Sequence, residues 1–165
     1  MEGKKSKPHA ILVFGAPCSG KTTFAEKFAN KFNLAFYDLG EIKKKTNFSD
    51  EQIRTVLELV AHTKKPVIIE GGLDTEKDRR LIRNIFTNAG YDNALIWIQT
   101  NIPTIRLRMK SRYKSVAKAK NIYDNSVGGM EAPAEHEHPI ILSGKHTFET
   151  QVKHVLIGLA DVDNG

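Results

Sequence analysis

Gly15, Ala16, Pro17, Cys18, Ser19, Gly20, Lys21, Thr22 and Thr23 follow one another in the chain, and the first eight fit the pattern G-x-x-x-x-G-K-[ST]. Each residue type has a physical use there. Glycines let the backbone turn tightly and approach an anion without a side-chain clash. Successive N–H groups can then face one phosphate as a nest. Lys21 adds a full positive charge, and the Thr22 hydroxyl suits a magnesium ion. A helix starting at Lys21 would aim its positive end at the same point. Cys18 sits inside this loop, where its backbone N–H is useful and its side chain fills space. Two carboxylates also stand out: Asp38 in "FYDLG" and Glu70 in "IIEGG". One can accept the proton of an attacking hydroxyl, and one can orient a metal through its waters. A third group is cationic: Arg106, Arg108, Lys110, Arg112, Lys114, Lys118 and Lys120. Arg108 and Arg112 are four apart and share a helix face. Arginines there can stabilise charge spread over a transferring phosphoryl group, or simply form a solvated face.

These groups need elements to hold them. The run "HAILVF" at 9–14 is short, continuous and apolar, as in a strand buried on both faces. Phe24, Phe28 and Phe32, with Ala25 and Ala29, form one helical stripe after the loop. Further strands are predicted at 34–40, 66–70, 94–100 and 139–144. Helices are predicted from the cap signal at Ser49 or Asp50, over 75–90 to the stop at Gly90, from Pro103 through about 120, and over 147–160. The stretch 118–138 shows no clear periodicity and reads as a mobile segment. Its "EHEH" at 135–138 reads as solvated loop, not metal site, because no third spaced ligand accompanies the two histidines. Trp97 reads as core. Strands alternating with helices imply a parallel sheet covered on both faces. In such a sheet ligands sit outside the carboxyl ends of the strands, where Asp38 and Glu70 fall.

The chain has 165 residues, which suits one domain, and 40% are hydrophobic. No repeat, linker or long low-complexity tract divides it. Net charge is +6, a balance common in proteins with anionic ligands and in plain soluble ones. A single cysteine forbids an internal disulfide and fits a reducing compartment. The apolar run before Gly15 is too short for a signal peptide, and no run approaches a membrane span. A cytoplasmic protein is expected.

The sequence resembles the small P-loop kinases: the adenylate and shikimate kinase-like group and the kinase domains of polynucleotide kinases, among AAA-type P-loop ATP-binding proteins. "GAPCSGKTTFAEKFA" carries the opening of those proteins, "NIPTIRLRMKSR" their arginine-bearing lid helix, and "IILSGKHTFETQVKHVL" their last strand and helix. The resemblance implies a three-layer α/β/α sandwich with a five-stranded parallel sheet in the order 2-3-1-4-5 and a helical lid. It implies one domain over 1–165 with a mobile lid segment at about 106–138. It implies ATP and Mg²⁺ held by residues 15–23, with Lys145 or His146 near the base. By the same resemblance Asp38 is expected as base, Glu70 as the metal-side carboxylate with Thr22, and Arg108 and Arg112 as lid arginines. The two acids can exchange roles, and either can instead cap the helix that follows it. "LGEIKK" is similar to the G-[DE]-x-x-R stretch by which nucleoside monophosphate kinases grip an acceptor phosphate. Lys43 stands where that pattern has arginine, so a bidentate grip is lost. "EGGLDT" also departs from the D-G-[FY]-P-R of adenylate kinases. The implied activity is transfer of the ATP γ-phosphate to a small hydroxyl or phosphate acceptor such as a nucleoside, nucleotide or similar metabolite. The alternatives are a polynucleotide 5′-hydroxyl kinase, a nucleic-acid-binding ATPase and a nucleotide-binding switch. A small molecule is the favoured partner over nucleic acid, and the oligomeric state is open.

Overall fold

A computed structural model describes residues 6–163; the leading lysines Lys4 and Lys5 lie outside the described residues. Five strands, β1 (His9–Phe14), β2 (Ala35–Asp38), β3 (Val67–Glu70), β4 (Asp92–Gln99) and β5 (Ile140–Ser143), form one sheet. Every pairing is parallel and the order is β2-β3-β1-β4-β5, as the resemblance implied. Helices α1 (Lys21–Phe32), α2 (Leu39–Thr46), α3 (Asp50–His62), α4 (Glu76–Asn88), α5 (Ile102–Tyr113), α6 (Val116–Val127) and α7 (Phe148–Asp163) connect and cover it.

Strand alternation divides the core in two. On one face Leu12, Phe14, Ile69 and Leu95 meet Ile53 and Leu57 of α3 and Ile82 and Phe86 of α4. On the other, Ile11, Val13, Ile68 and Ile96 meet the phenylalanine stripe of α1 and Val152 and Val155 of α7. This packing fixes the carboxyl ends of the strands as one rigid edge. Helix starts are fixed locally. Ser49 and Gln52 form a capping box at α3, and Thr75 and Asp78 form another at α4.

The structure corrects five readings. Strand two ends at Asp38, not Gly40, because Asp38 is already the N-cap of α2 and accepts the Glu41 N–H at 3.0 Å. The helix after Pro103 is not continuous to 120. Lys114 adopts a left-handed conformation, φ 52°, and Ser115 recaps the chain as α6. The stretch 118–138 is helical as far as Val127, with a further 3-10 turn at Glu135–Glu137. Within "EHEH", Glu137 is buried, not solvated. Its carboxylate accepts two hydrogen bonds from Arg79, Nε to Oε1 and Nη2 to Oε2, each 2.8 Å. Trp97 is only half-buried. It packs near Phe14 on one side and lines a cleft on the other.

Candidate active site

The loop after β1 passes directly beneath the carboxyl edge of the sheet. A Cβ on Gly15 would lie 2.6 Å from the Ile98 carbonyl oxygen, so this first position has room only for glycine. Cys18 and Gly20 both take left-handed conformations, φ 59° and 104°. Gly20 is the N-cap of α1 and supplies no side-chain cap. The first N–H groups of that helix are therefore left for a ligand. Cys18 packs against an apolar cluster made by Ile105 and Met109 of α5 and Ala119 of α6, which is the space-filling role expected of it.

Three charged or polar groups meet beside this loop. Thr22 Oγ1 donates to Glu70 Oε1 at 2.7 Å, and Lys21 Nζ lies 3.8 Å from the same oxygen. Lys21 Nζ also donates to the Ala16 carbonyl at 3.4 Å. Glu70 is 4% exposed, and its Oε2 is buried without a hydrogen-bond partner. Burial pushes the Glu70 carboxyl above the usual carboxylate range; Thr22 and Lys21 pull it back, and Asp38 pushes it further up. Asp38 is the register neighbour of Glu70 on β2. The two acids thus stand side by side at the sheet edge, one of them engaged at Oδ1 as a helix cap.

Asp74 is a further acid beside this loop. It follows Gly71 and Gly72, and its carboxyl is pushed upward by burial while Lys21 draws it back. Its backbone carbonyl accepts from Glu131 N–H at 2.8 Å and from Arg79 Nη1 at 3.3 Å. Arg79 also donates to the carbonyls of Leu73 and Glu131, and its guanidinium lies 4.9 Å from the Phe14 ring centre. One fully buried arginine thereby ties together the end of β1, the loop after β3 and the segment leading from α6 to β5. No local pattern in the sequence marks this, because its partners are 52 and 58 residues away.

The two lid arginines separate. Arg108 donates to the carbonyls of Cys18 and Ser19, both at 3.2 Å, and to that of Gly144 at 2.9 Å. Arg112 is exposed, with its guanidinium 5.8 Å from the Tyr113 ring centre. Both line a cavity of about 490 Å³ that reaches from Gly20, Lys21 and Thr22 to His146 and Phe148. That volume is ample for a nucleotide-sized ligand. Thr23 lines it too, whereas Lys145 faces a different cleft with Trp97 and Tyr123. His146 lines both, so of the two residues it alone reaches the far end of the cavity. Lys43, at the acceptor-grip position, is engaged by Asp50. Neither "EHEH" histidine joins a metal cluster: His136 faces Glu76 at 3.2 Å, and the described residues hold no group of three or more His, Cys, Asp or Glu placed for a metal. No described helix is long and apolar enough to cross a membrane.

Residues 11–135 match the family model described as an AAA domain. No curated protein matches the sequence. Among solved structures, a gluconokinase from Sinorhizobium meliloti 1021 is 17% identical, with 97% of this chain and 96% of that one covered at a TM-score of 0.70. The Mycobacterium tuberculosis APS kinase CysC, solved with AMPPNP and APS, is 17% identical over 93% and 98%, TM-score 0.66. Chaetomium thermophilum Kti12, solved with ADP-AlF3, is 17% identical over 94% and 100%, TM-score 0.69. At these identities the likeness is one of fold.

Proposed function

The chain belongs to the AAA domain family, and on that premise we propose that it is an ATP-dependent phosphotransferase moving the γ-phosphate to a hydroxyl or phosphate of a small acceptor. The observation that carries this reading is the meeting of Lys21, Thr22 and a buried Glu70 at the mouth of a glycine-rich anion nest. A structural turn would have no use for a buried carboxylate oxygen without a partner. Two solved structures of this fold carry AMPPNP and ADP-AlF3, which supports ATP as the ligand.

The residues fit Mg²⁺. It is commonly held by one or two protein oxygens, with phosphate and water supplying the rest. The Thr22 hydroxyl and the Glu70 carboxylate are hard oxygen donors side by side, with Oε2 still open. When bound, the ion neutralises charge developing on the phosphate oxygens.

The chain's own residues do the rest. Backbone N–H groups of the loop, such as those of Cys18 and Gly20, and of the start of α1 cradle the phosphates; Pro17 has none to give, and that of Ser19 is held by the Ala16 carbonyl at 3.1 Å. Lys21 leaves Glu70 and the Ala16 carbonyl to meet the β- and γ-phosphates. Arg108 already braces the loop from the lid, and Arg112 reaches into the same cavity to offset charge in the transition state. Asp38 keeps Oδ1 on its helix cap and offers its other oxygen as base to the acceptor hydroxyl. Glu70 is the better metal-side carboxylate of the two, because it is the one bonded to Thr22. His146 and Phe148 flank the adenine end.

The test follows γ-labelled ATP with Mg²⁺ into a panel of nucleosides, nucleotides, sugars, polyol acids and 5′-hydroxyl oligonucleotides. Label should appear on one acceptor, and Lys21→Ala should lower transfer by about 100-fold or more. Transfer undiminished in that variant would remove the assignment.

A further inference from the structure

Charge along the chain is distributed unevenly. Between Asp92 and Asp124 there is no acidic residue, yet seven of the 25 basic residues fall there. The other 18 basic residues face 19 acidic ones, so the whole positive excess of the molecule resides on the lid helices. Two of the seven, Arg108 and Arg112, line the cavity beside the phosphate loop. Arg106, Lys110 and Lys120 instead border a separate hollow of about 430 Å³ between α5 and α6, with Asp124 the one acid on its rim. Its floor is apolar: Met109, Val116, Ala119 and the Tyr123 ring. Val116 is 68% exposed, and Leu107 on α5 is 72% exposed. None of the lid cations forms an ion pair among the described residues, whereas Lys7, Lys43 and Lys45 elsewhere each have a carboxylate partner. Seven like charges, six on two short helices and Lys114 at the break between them, repel one another. Among the described residues no carboxylate ion-pairs with them; Arg108 alone is met by backbone carbonyls, those of Cys18, Ser19 and Gly144.

From this we infer that the outer face of the lid is a docking surface for single-stranded nucleic acid, separate from the phosphate-transfer cavity and additional to the proposed activity. A strand offers what the surface lacks. Its phosphates can meet Arg106, Lys110 and Lys120, with Lys118 on α6 and Lys114 at the break between the helices extending the track. A hollow of this volume holds one base, with Tyr123 as its stacking platform. An acidic peptide would match the charge but would leave the aromatic floor without a flat partner. An anionic membrane would match charge and exposed apolar side chains but would leave the hollow empty.

The probe is a 5′-fluorescein uridine 12-mer, followed by anisotropy at several salt concentrations. Binding at low salt should weaken as salt rises. The slope of log K against log salt should be about −2 to −3.5, the value for three to five phosphate contacts on a single strand. The double variant Lys110→Glu, Lys120→Glu alters only exposed side chains. It should abolish oligonucleotide binding and leave ATP affinity unchanged. Tyr123→Phe should bind normally, and Tyr123→Ala should bind about 5- to 150-fold more weakly if one base stacks there. Three results would overturn the inference: no binding at low salt, binding indifferent to the double charge reversal, or displacement of the oligonucleotide by MgATP. Equally tight binding of poly-glutamate or of phosphatidylserine vesicles would also overturn it, assigning the surface to an acidic protein or to a membrane.

Discussion

Glu70 combines burial, a raised pKa and an oxygen without a partner, and each has a measurable consequence. A carboxyl whose pKa is higher in the folded than in the unfolded state holds its proton longer when folded. Its stabilising contribution is complete at low pH and is lost as pH rises from the ordinary glutamate range through the raised value. Glu70→Gln removes that loss. Without nucleotide the variant should melt higher than the wild type at pH 8, by a few degrees at about 2–4 °C per kcal/mol for a domain of this size. The two should converge near pH 4. With MgATP present the order should reverse, because the variant gives up the carboxylate that faces the ion. Asp38 calls for a different pair of substitutions. Asparagine caps helices as well as aspartate, so Asp38→Asn should keep the fold and ATP affinity while turnover falls. Asp38→Ala should in addition lose about 1 kcal/mol from α2. Denaturation curves and turnover of both variants separate base from cap. At this scale the phosphate loop was legible because its chemistry is contained in eight consecutive residues. Asp38 and Glu70 were legible because strand ends are readable. Asp74, Arg79 and Glu137 were not, since their roles depend on contacts across more than fifty residues.

Elements were legible where burial imposed a pattern. All five strands are short apolar runs, and α1, α3 and α4 each bury a regular stripe. The two that escaped bury almost nothing: α2 buries Leu39, and α6 buries Ala119. Without a stripe there is no period to read. The break at Lys114 was equally silent, because neither glycine nor proline marks it. What joins these elements can be tested at two points. A Cβ at Gly144 would fall 2.0 Å from Thr100 Oγ1 and 2.1 Å from the Ser19 carbonyl oxygen. Neither neighbour is free to retreat, since the Thr100 hydroxyl donates to that same carbonyl at 2.8 Å. Gly144→Ala should therefore cost about 3 kcal/mol, the upper range for overpacking, and should also weaken ATP binding by displacing the phosphate loop. Chemical denaturation and nucleotide titration read the two effects. Arg79→Met leaves Glu137 buried without its charge partner, holding only the Ala134 N–H, and should cost about 3–5 kcal/mol. Replacing Glu137 as well should recover only part of this, because the carbonyls of Leu73 and Glu131 would remain without the arginine donor and Asp74 would keep only the Glu131 N–H.

At the scale of the molecule, the sheet order assigns different duties to its two halves. β1 lies at the centre and delivers the phosphate loop. On one side β4 and β5 lead into α5 and the 144–148 loop, which with α1 enclose the cavity next to Lys21 and Thr22. On the other side β2 ends at Asp38 and leads into α2 and α3, and β3 ends at Glu70 and leads into α4; no residue of these three helices lines that cavity. If the cavity receives ATP, nucleotide alone should order one half and leave the other as it was. Amide exchange should slow at residues 15–23, along α5 and over 143–151 when MgATP is added. It should stay unchanged over 39–50, where α2 has one buried residue to hold it. Adding the true acceptor together with a non-hydrolysable ATP analogue should extend protection to that second half. The pattern discriminates because ordering follows contact: helices that open locally have little free energy to lose and report a ligand only when it touches them. Protection of α2 by nucleotide alone would place ATP across the β2–β3 edge instead, and the acceptor would then have to occupy the cavity under Arg108 and Arg112.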